Sequence, residues 1–317
     1  MNNRGMLSRL AESLFWMGRY IERADDMARI VDSYVHRMHE DPFNDEAATC
    51  RSLCSILGHD AGAEQWRTEE TLQRIVYSLE SPFSIAGALH GAYENARRSR
   101  DYISSEMWVA LNTTRNDLPQ YEQRARTLGP ATFLQYVRER TALLAGLTDA
   151  TLSHDDGWRF LVLGRNLERI DMVTRLLRAR VMSDENVPDW LAFLRASGAM
   201  EAFLRNTRDV HEANGVAAFL MLDQLFPRSV LHCLNLVDEC LVQIQPARQR
   251  TNTGDTARLT VGQARNTLEF IDASRLIEEL PELLEMLEAS CVQISDAVTE
   301  RYFRQEDTVS WHVEEGM

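Results

Sequence analysis

The stretch Gly18-Arg19-Tyr20-Ile21-Glu22-Arg23-Ala24-Asp25 is written again as Gly164-Arg165-Asn166-Leu167-Glu168-Arg169-Ile170-Asp171, at a constant offset of 146 residues (164 − 18). The register runs on to Arg29 and Arg175, so both copies read Gly-Arg-x-(Ile/Leu)-Glu-Arg-x-Asp-x-x-x-Arg. Apolar spacing places both on helices. Leu10, Leu14, Met17, Ile21, Ala24, Ala28 and Val31 recur at three or four residues, as do Leu163, Leu167, Ile170, Thr174, Leu177 and Val181. Residues three and four apart are neighbours on a helix, so Arg19, Glu22, Arg23 and Asp26 form one arginine-carboxylate cluster, and Arg165, Glu168 and Arg169 another.

On one amphipathic helix such a stripe reads as a solvated face, each ion pair worth about 0.2–0.5 kcal/mol. Nearly neutral pairs give no physical reason for two distant segments to share a pattern. The repetition therefore points to close packing at the glycine and to a polar cluster that is internal or lines a site.

Around these two helices the chain reads as all-α. Clean period-two alternation is missing, and no Asn-Gly or Asp-Gly pair joins two alternating segments as a hairpin turn. We expect a bundle of roughly ten helices, and the offset suggests two related halves, although outside the motif helices the segments do not align by eye. Residues 1–304 read as a single domain with motif helices near 5–39 and 156–182, and 305–317 as a loose tail. Further helices are expected over 46–57, closed by Gly58, over 68–79, and over 131–152. A long helical region over 84–123 should break near Leu118-Pro119. Another helix should start at Leu225-Phe226-Pro227-Arg228 with proline in its first turn, where Asp223 and Arg228 pair across the turn. Residues 206–214 read as irregular and 246–255 as a polar linker; 256–280 and 281–302 supply the last two helices.

Of 317 residues, 44% are hydrophobic and 26% charged, as in an ordinary globular protein with a sizeable core. The net charge of −14 disfavours nucleic acid and anionic membrane surfaces, which need a basic face. No run approaches the roughly 20 apolar residues of a membrane span, and Arg4, Arg9 and Glu12 interrupt any signal peptide. Five cysteines without a Cys-x-x-Cys favour reduced thiols and a cytoplasmic location. All 34 basic residues are arginine. Without lysine, Schiff-base chemistry, pyridoxal-phosphate attachment and the Walker-A clamp are unavailable. What remains is planar, bidentate recognition of carboxylate or phosphate.

Metal and cofactor motifs fail letter by letter, so no metal and no cofactor are expected. His-Glu-x-x-His and Glu-x-x-His do not occur. His36, His39 and Glu40 read as the polar end of the first helix. Asp25-Asp26-Met27-Ala28-Arg29 carries arginine where an all-α prenyl-transfer enzyme needs its last aspartate, and Asp155-Asp156-Gly157-Trp158-Arg159 fails likewise. A third polar helix places Arg97, Arg100 and Ser104 on one face beside Trp108, either as a solvated basic stripe or as part of a site. Trp16, Trp108 and Trp158 read as core.

Helix one from Met6 through Ala24 resembles the start of the alpha-E family, bacterial α-helical proteins named for a Glu-Arg motif. Three further stretches are similar to it in order: Glu94 to Trp108, Gly157 to Arg169, and Phe219 to Val230. The resemblance maps the family's Glu-Arg pair onto Glu22-Arg23 and Glu168-Arg169. Asn166 stands where the first copy has Tyr20, so the two clusters need not do the same work. Members of the family typically accompany, or are fused to, circularly permuted ATP-grasp proteins and transglutaminase-like proteases. The resemblance thus implies an accessory or substrate-handling component of a peptide amide-bond-forming system with those two partners. In that reading Arg19, Glu22, Arg23, Arg165, Glu168 and Arg169 converge on one pocket for a carboxylate or phosphate, with Arg97 and Arg100 as further ligand-binding candidates. Two alternatives stand beside it: an enzyme with Glu22 or Glu168 as general base, and a structural scaffold whose Arg-Glu pairs fix helix register.

Overall fold

The computed structural model describes residues 8–40, 45–59, 67–181, 190–206, 212–244 and 255–304, with the side chains of His39, Glu40 and Asn206 left aside. The expected tail at 305–317, most of the 246–255 linker, residues 207–211 of the irregular segment and the His39–Glu40 pair lie outside that description.

Among the described residues every regular element is helical. Four long helices form the first half: α1 (Ser8–Glu40), α4 (Ile85–Arg98), α5 (Ser105–Leu128) and α6 (Ala131–Thr151). The second half repeats them as α7 (Asp156–Val181), α11 (Val230–Ile244), α12 (Thr256–Glu269) and α13 (Leu276–Val298). Short helices lie between: α2 (Glu46–Ile56) and α3 (Thr68–Leu72, running into a π-helical turn to Tyr77) in the first half, α8 (Trp190–Ala196), α9 (Met200–Asn206) and α10 (Ala213–Leu222) in the second. The final π-helical turn, Thr299–Phe303, brings Phe303 against Phe15 of α1, ring centroids 5.5 Å apart.

The duplication extends well beyond the motif. α1 packs on α4 and α6 as α7 packs on α11 and α13, and α1 and α7 pack on each other. Ser84 caps α4 through Gly87 N, and Ser229 stands before α11 with its Oγ accepting from His232 N; each also donates to a carbonyl six residues upstream, Ser78 and Asp223. α2 and α8 end alike on glycines in the left-handed region, Gly58 (φ 77°) and Gly198 (φ 65°), where a side chain would be strained. Each glycine faces an arginine of the other half: Gly58 faces Arg175 and Gly198 faces Arg29.

Several helix ends fall elsewhere than the sequence suggests. Pro119 does not break α5 and Pro281 does not start a helix; both lie inside helices, on exposed positions where water can take up the carbonyl each leaves unpaired. The breaks come at 99–104, where Ser99 bonds back to Asn95 O and Ser104 caps α5, and at 270–275, where Asp272 accepts from Ser274 N. Pro227 precedes α11 rather than entering its first turn. No described helix is long and apolar enough to cross a membrane.

α1 is about 50 Å long at 1.5 Å per residue, and two apolar cores divide along it. The larger gathers Leu14, Phe15 and Met17 with α7 and α10 to α13; the other gathers Met27, Ile30 and Val31 with α2, α4 and the start of α6. The repeated polar stretch sits at the junction, and burial there forces its charges to pair.

Candidate functional site

The two motif helices cross at their glycines. A Cβ on Gly18 would lie 2.1 Å from the Leu161 carbonyl oxygen, and one on Gly164 would lie 2.1 Å from the Phe15 carbonyl oxygen. Both contacts fall three residues before the partner glycine, so the crossing has a local two-fold character. With the backbones this close, each Glu-Arg pair reaches the other helix. Arg23 donates through Nε to Glu168 at 2.5 Å, and Arg169 donates through Nε to Glu22 at 2.8 Å. The outer ends of these arginines meet equivalent carbonyls, Pro82 for Arg23 and Pro227 for Arg169.

The remaining partners separate the six residues into two sets on either side of the crossing. Around Glu168 the set is closed: Arg19 Nε donates at 2.7 Å to Oε2, and its Nη1 reaches Ser295 Oγ at 3.1 Å. Phe83 lies under Arg23, its ring centroid 5.6 Å from the guanidinium carbon. Burial raises the Glu168 pKa, but Arg19 and Arg23 outweigh it and hold the carboxyl down at about 2.

Around Glu22 the set is open. Arg228 stands where the first half has Phe83, and reaches Glu22 at 2.9 Å together with Asp25 and Asp26. It does not pair with Asp223 as the sequence suggests, because that carboxylate caps Leu225 N and Phe226 N in the turn. Arg29 Nε and Thr141 Oγ1 complete Asp25, at 2.8 and 2.9 Å. Glu22, Asp25 and Asp26 bring ligand atoms within 4.8 Å of one another, a spacing that suits a metal ion, and the guanidinium of Arg228 pairs with all three. Arg165, the counterpart of Arg19, does not reach Glu22. It lies 3.5 Å from half-exposed Asp149, and its buried Nε has no hydrogen-bond partner.

Beside this open set lies a cavity of about 130 Å³, walled by α1, α6 and α7 and lined by Glu22, Asp25, Arg29, Arg165, Arg169 and Arg228. Four side chains of α6 leave the room: Thr141, Ala142, Ala145 and Thr148. At the same offset of 146, α13 carries Leu287, Glu288, Cys291 and Ile294, of which the leucine, cysteine and isoleucine are buried in the core. One half of the repeat is filled with hydrocarbon where the other is hollow and lined by arginine.

Chemically, neither motif glutamate is tuned as a general base. Burial raises the Glu22 pKa, but Arg169 and Arg228 pull it below its ordinary value, and Glu168 is likewise held down by Arg19 and Arg23. Asp26 behaves oppositely. Burial, only partly offset by Arg228 and reinforced by Glu22 and Asp25, raises it to about 8, and its Oδ2 has no partner. The folded state therefore binds a proton on Asp26 that the unfolded chain releases above about 4. The resulting stabilisation is complete below that pH and declines as pH rises towards 8, by up to about 1.4 kcal/mol per pH unit. Urea unfolding between pH 5 and 8 should show this slope in the wild type and not in Asp26→Asn. Equal slopes would refute the assignment.

The two other basic candidates stand apart. Arg97 pairs with Glu94 on an exposed face, and Arg100 reaches Ile103 O and stacks over Trp108; neither lines the cavity. Sequence reasoning missed the α6 wall and the role of Arg228. The signal it could have used is the pair Pro82-Phe83-Ser84-Ile85 and Pro227-Arg228-Ser229-Val230, offset by 145.

A family described as a predicted alpha-helical domain with a conserved ER motif, Alpha-E, matches residues 6–303, and the paired Glu-Arg sequences sit at the centre of that match. The chain belongs to the Alpha-E family. Similar relatives include an uncharacterised protein of Mycobacterium bovis and one of Mycobacterium tuberculosis, each 26% identical over 326 aligned positions covering 92% of this chain. The chain spans only 36% of the length of either. No solved structure matches it. In this Alpha-E chain the ER motif is thus the point where two helices exchange Glu-Arg pairs across a glycine crossing.

Proposed function

We propose that this Alpha-E domain is a ligand-handling component of a peptide amide-bond-forming system, working with a circularly permuted ATP-grasp protein and a transglutaminase-like protein. The cavity beside Arg165, Arg169 and Arg228 receives a carboxylate or phosphate of the ligand, while the closed set around Glu168 fixes the register of the crossing. The observation that carries this reading is the asymmetry of the repeat: among the described residues, the Glu22 side has small α6 residues that leave a cavity bordered by Arg165, whose buried Nε has no partner, where α13 fills the equivalent positions on the Glu168 side. An unsatisfied buried donor costs about 1–3 kcal/mol, which an anion that draws the Arg165 guanidinium towards the cavity would recover. Room for a larger assembly fits relatives nearly three times the length of the matched segment. A cytoplasmic setting fits five cysteines that are all buried and unpaired.

Calorimetric titration with acetate and with inorganic phosphate tests the cavity. Binding to the wild type should be lost in Thr148→Ile, which copies the filled half, and weakened about tenfold in Arg165→Gln. Titration curves unchanged by both substitutions would overturn it. Co-purification with a circularly permuted ATP-grasp protein of the same organism tests the assembly: no complex and no effect on ligase turnover would remove the partner assignment.

A further inference from the structure

We infer that the cavity is the inner end of a groove that binds an extended acidic peptide. The peptide's terminal carboxylate would meet Arg165, and its side-chain carboxylates would meet Arg29, Arg138 and Arg195. This rests on the cavity being an anion site and specifies what the anion belongs to.

Three observations carry the inference. First, the cavity has a neighbour. A second space of about 370 Å³ is lined by Arg29, Ser33, His36, Arg138 and Arg195, and Arg29 borders both. Along α1 the lining residues Glu22, Asp25, Arg29, Ser33 and His36 follow at three and four residues, and along α6 Thr148, Ala145, Thr141 and Arg138 do the same. Each series is one face of one helix, so the two spaces follow one another along the seam of α1 and α6 and meet at Arg29, beside the Thr141–Asp25 hydrogen bond that ties the two helices.

Second, the groove has an unpaired donor at each end. Arg165 Nε at the inner end and Arg138 Nε at the outer end are both buried without a hydrogen-bond partner. Arg138 does pair through Nη1 with Asp32 at 3.2 Å, but both side chains are 40% exposed, and such a wet pair is weak and easily exchanged for a ligand carboxylate. From Thr148 to Arg138 the rise is about 15 Å, ten residues at 1.5 Å each. An extended peptide advances about 3.3–3.6 Å per residue, so about four residues span the two ends.

Third, the inner end is closed in the other half, although a space of about 390 Å³ beside Arg175, Arg178 and Glu288 remains open at its outer end. Leu284, Leu287, Cys291 and Ile294 of α13 occupy the positions of Arg138, Thr141, Ala145 and Thr148, and all four are buried. A peptide also fits better than a phosphate polymer. The groove interleaves its arginines with Asp25, Asp32 and Glu201, which can accept from peptide N–H groups, whereas a phosphate polymer offers those carboxylates no donor.

The test is calorimetric titration with tetraglutamate, its C-terminal amide and tetraglutamine, beside acetate and polyphosphate. Tetraglutamate should bind at least about tenfold more tightly than acetate and than its own amide, and tetraglutamine should not bind. Arg138→Leu, which installs the α13 residue, should weaken tetraglutamate about tenfold and leave acetate unchanged. Thr148→Ile should abolish both, with Ala145→Cys as the second filling variant should the first not fold. Acetate binding with no gain for tetraglutamate, or an Arg138→Leu without effect, overturns the groove and spares the cavity. Tighter binding of polyphosphate overturns the peptide. Absence of all binding overturns both readings.

Discussion

Replacing Glu168 by glutamine is expected to destabilise the fold by about 3–5 kcal/mol, the usual cost of removing one partner from a buried ion pair. The carboxylate is 1% exposed and accepts from Arg19 and from Arg23 at two points. Those guanidiniums are themselves about nine-tenths buried, so neither can turn to water when the charge disappears. Ser295 Oγ and Pro82 O, the other partners, are neutral. Glu22→Gln should cost distinctly less: Arg228 keeps Asp25 and Asp26, so Arg169 alone loses its charged partner, whereas at Glu168 both Arg19 and Arg23 lose theirs. Urea unfolding of the two variants at pH 7 measures the difference. A Glu168→Gln loss below about 1 kcal/mol, or an equal loss at Glu22, would show that the closed and open sets are not energetically distinct.

The distinction matters because the two sets descend from one pattern. At the closed set the arginine corresponding to Arg165 is absorbed by the glutamate, an aromatic ring lies where Arg228 would be, and hydrocarbon fills the space beyond. At the open set the glutamate is taken by Arg228, which frees Arg165 Nε, and small residues leave the cavity. Replacement of one aromatic by one arginine, together with small α6 side chains, accompanies the change from a closed knot to an arginine-lined cavity. The register reading is thus proposed for the Glu168 copy and the ligand reading for the Glu22 copy.

How much of this was visible in the letters follows from what kind of information each feature needs. The all-α class and the two motif helices are carried by period-3.6 apolar spacing within single segments, and they were legible. Helix ends at Pro119 and Pro281 were misplaced because exposed prolines inside a helix cost only local carbonyl satisfaction, whereas Ser99, Ser104 and Asp272 offer the backbone competing partners. The full duplication was not legible because backbone geometry carries it. Ser84 and Ser229, or Gly58 and Gly198, repeat a conformation with few shared neighbours in sequence. The cavity was still less so: it is a difference between α6 and α13, and appears only once their positions are placed in register.

Alanine at Gly18 or at Gly164 should be far more damaging than an exchange of one small residue for another usually is. Each new Cβ would stand 2.1 Å from a carbonyl oxygen of the facing helix, and what it meets is backbone rather than the end of a flexible side chain. Relief requires α1 and α7 to separate, which stretches the Arg23–Glu168 and Arg169–Glu22 pairs together, since both are strung across the same crossing. The expected loss is about 3 kcal/mol or more, the upper end of overpacking costs, and similar for the two glycines because the crossing treats them alike. Gly146 and Gly262 provide the control. Both lie within helices, α6 and α12, and a Cβ there meets nothing within 4 Å. Gly146→Ala and Gly262→Ala should therefore raise stability by about 0.5–1 kcal/mol through the helix preference of alanine alone. Unfolding midpoints of the four variants decide the matter. Gly18→Ala as stable as the wild type would mean that the helices do not approach this closely, and the exchange of Glu-Arg pairs across the crossing would lose its geometric basis.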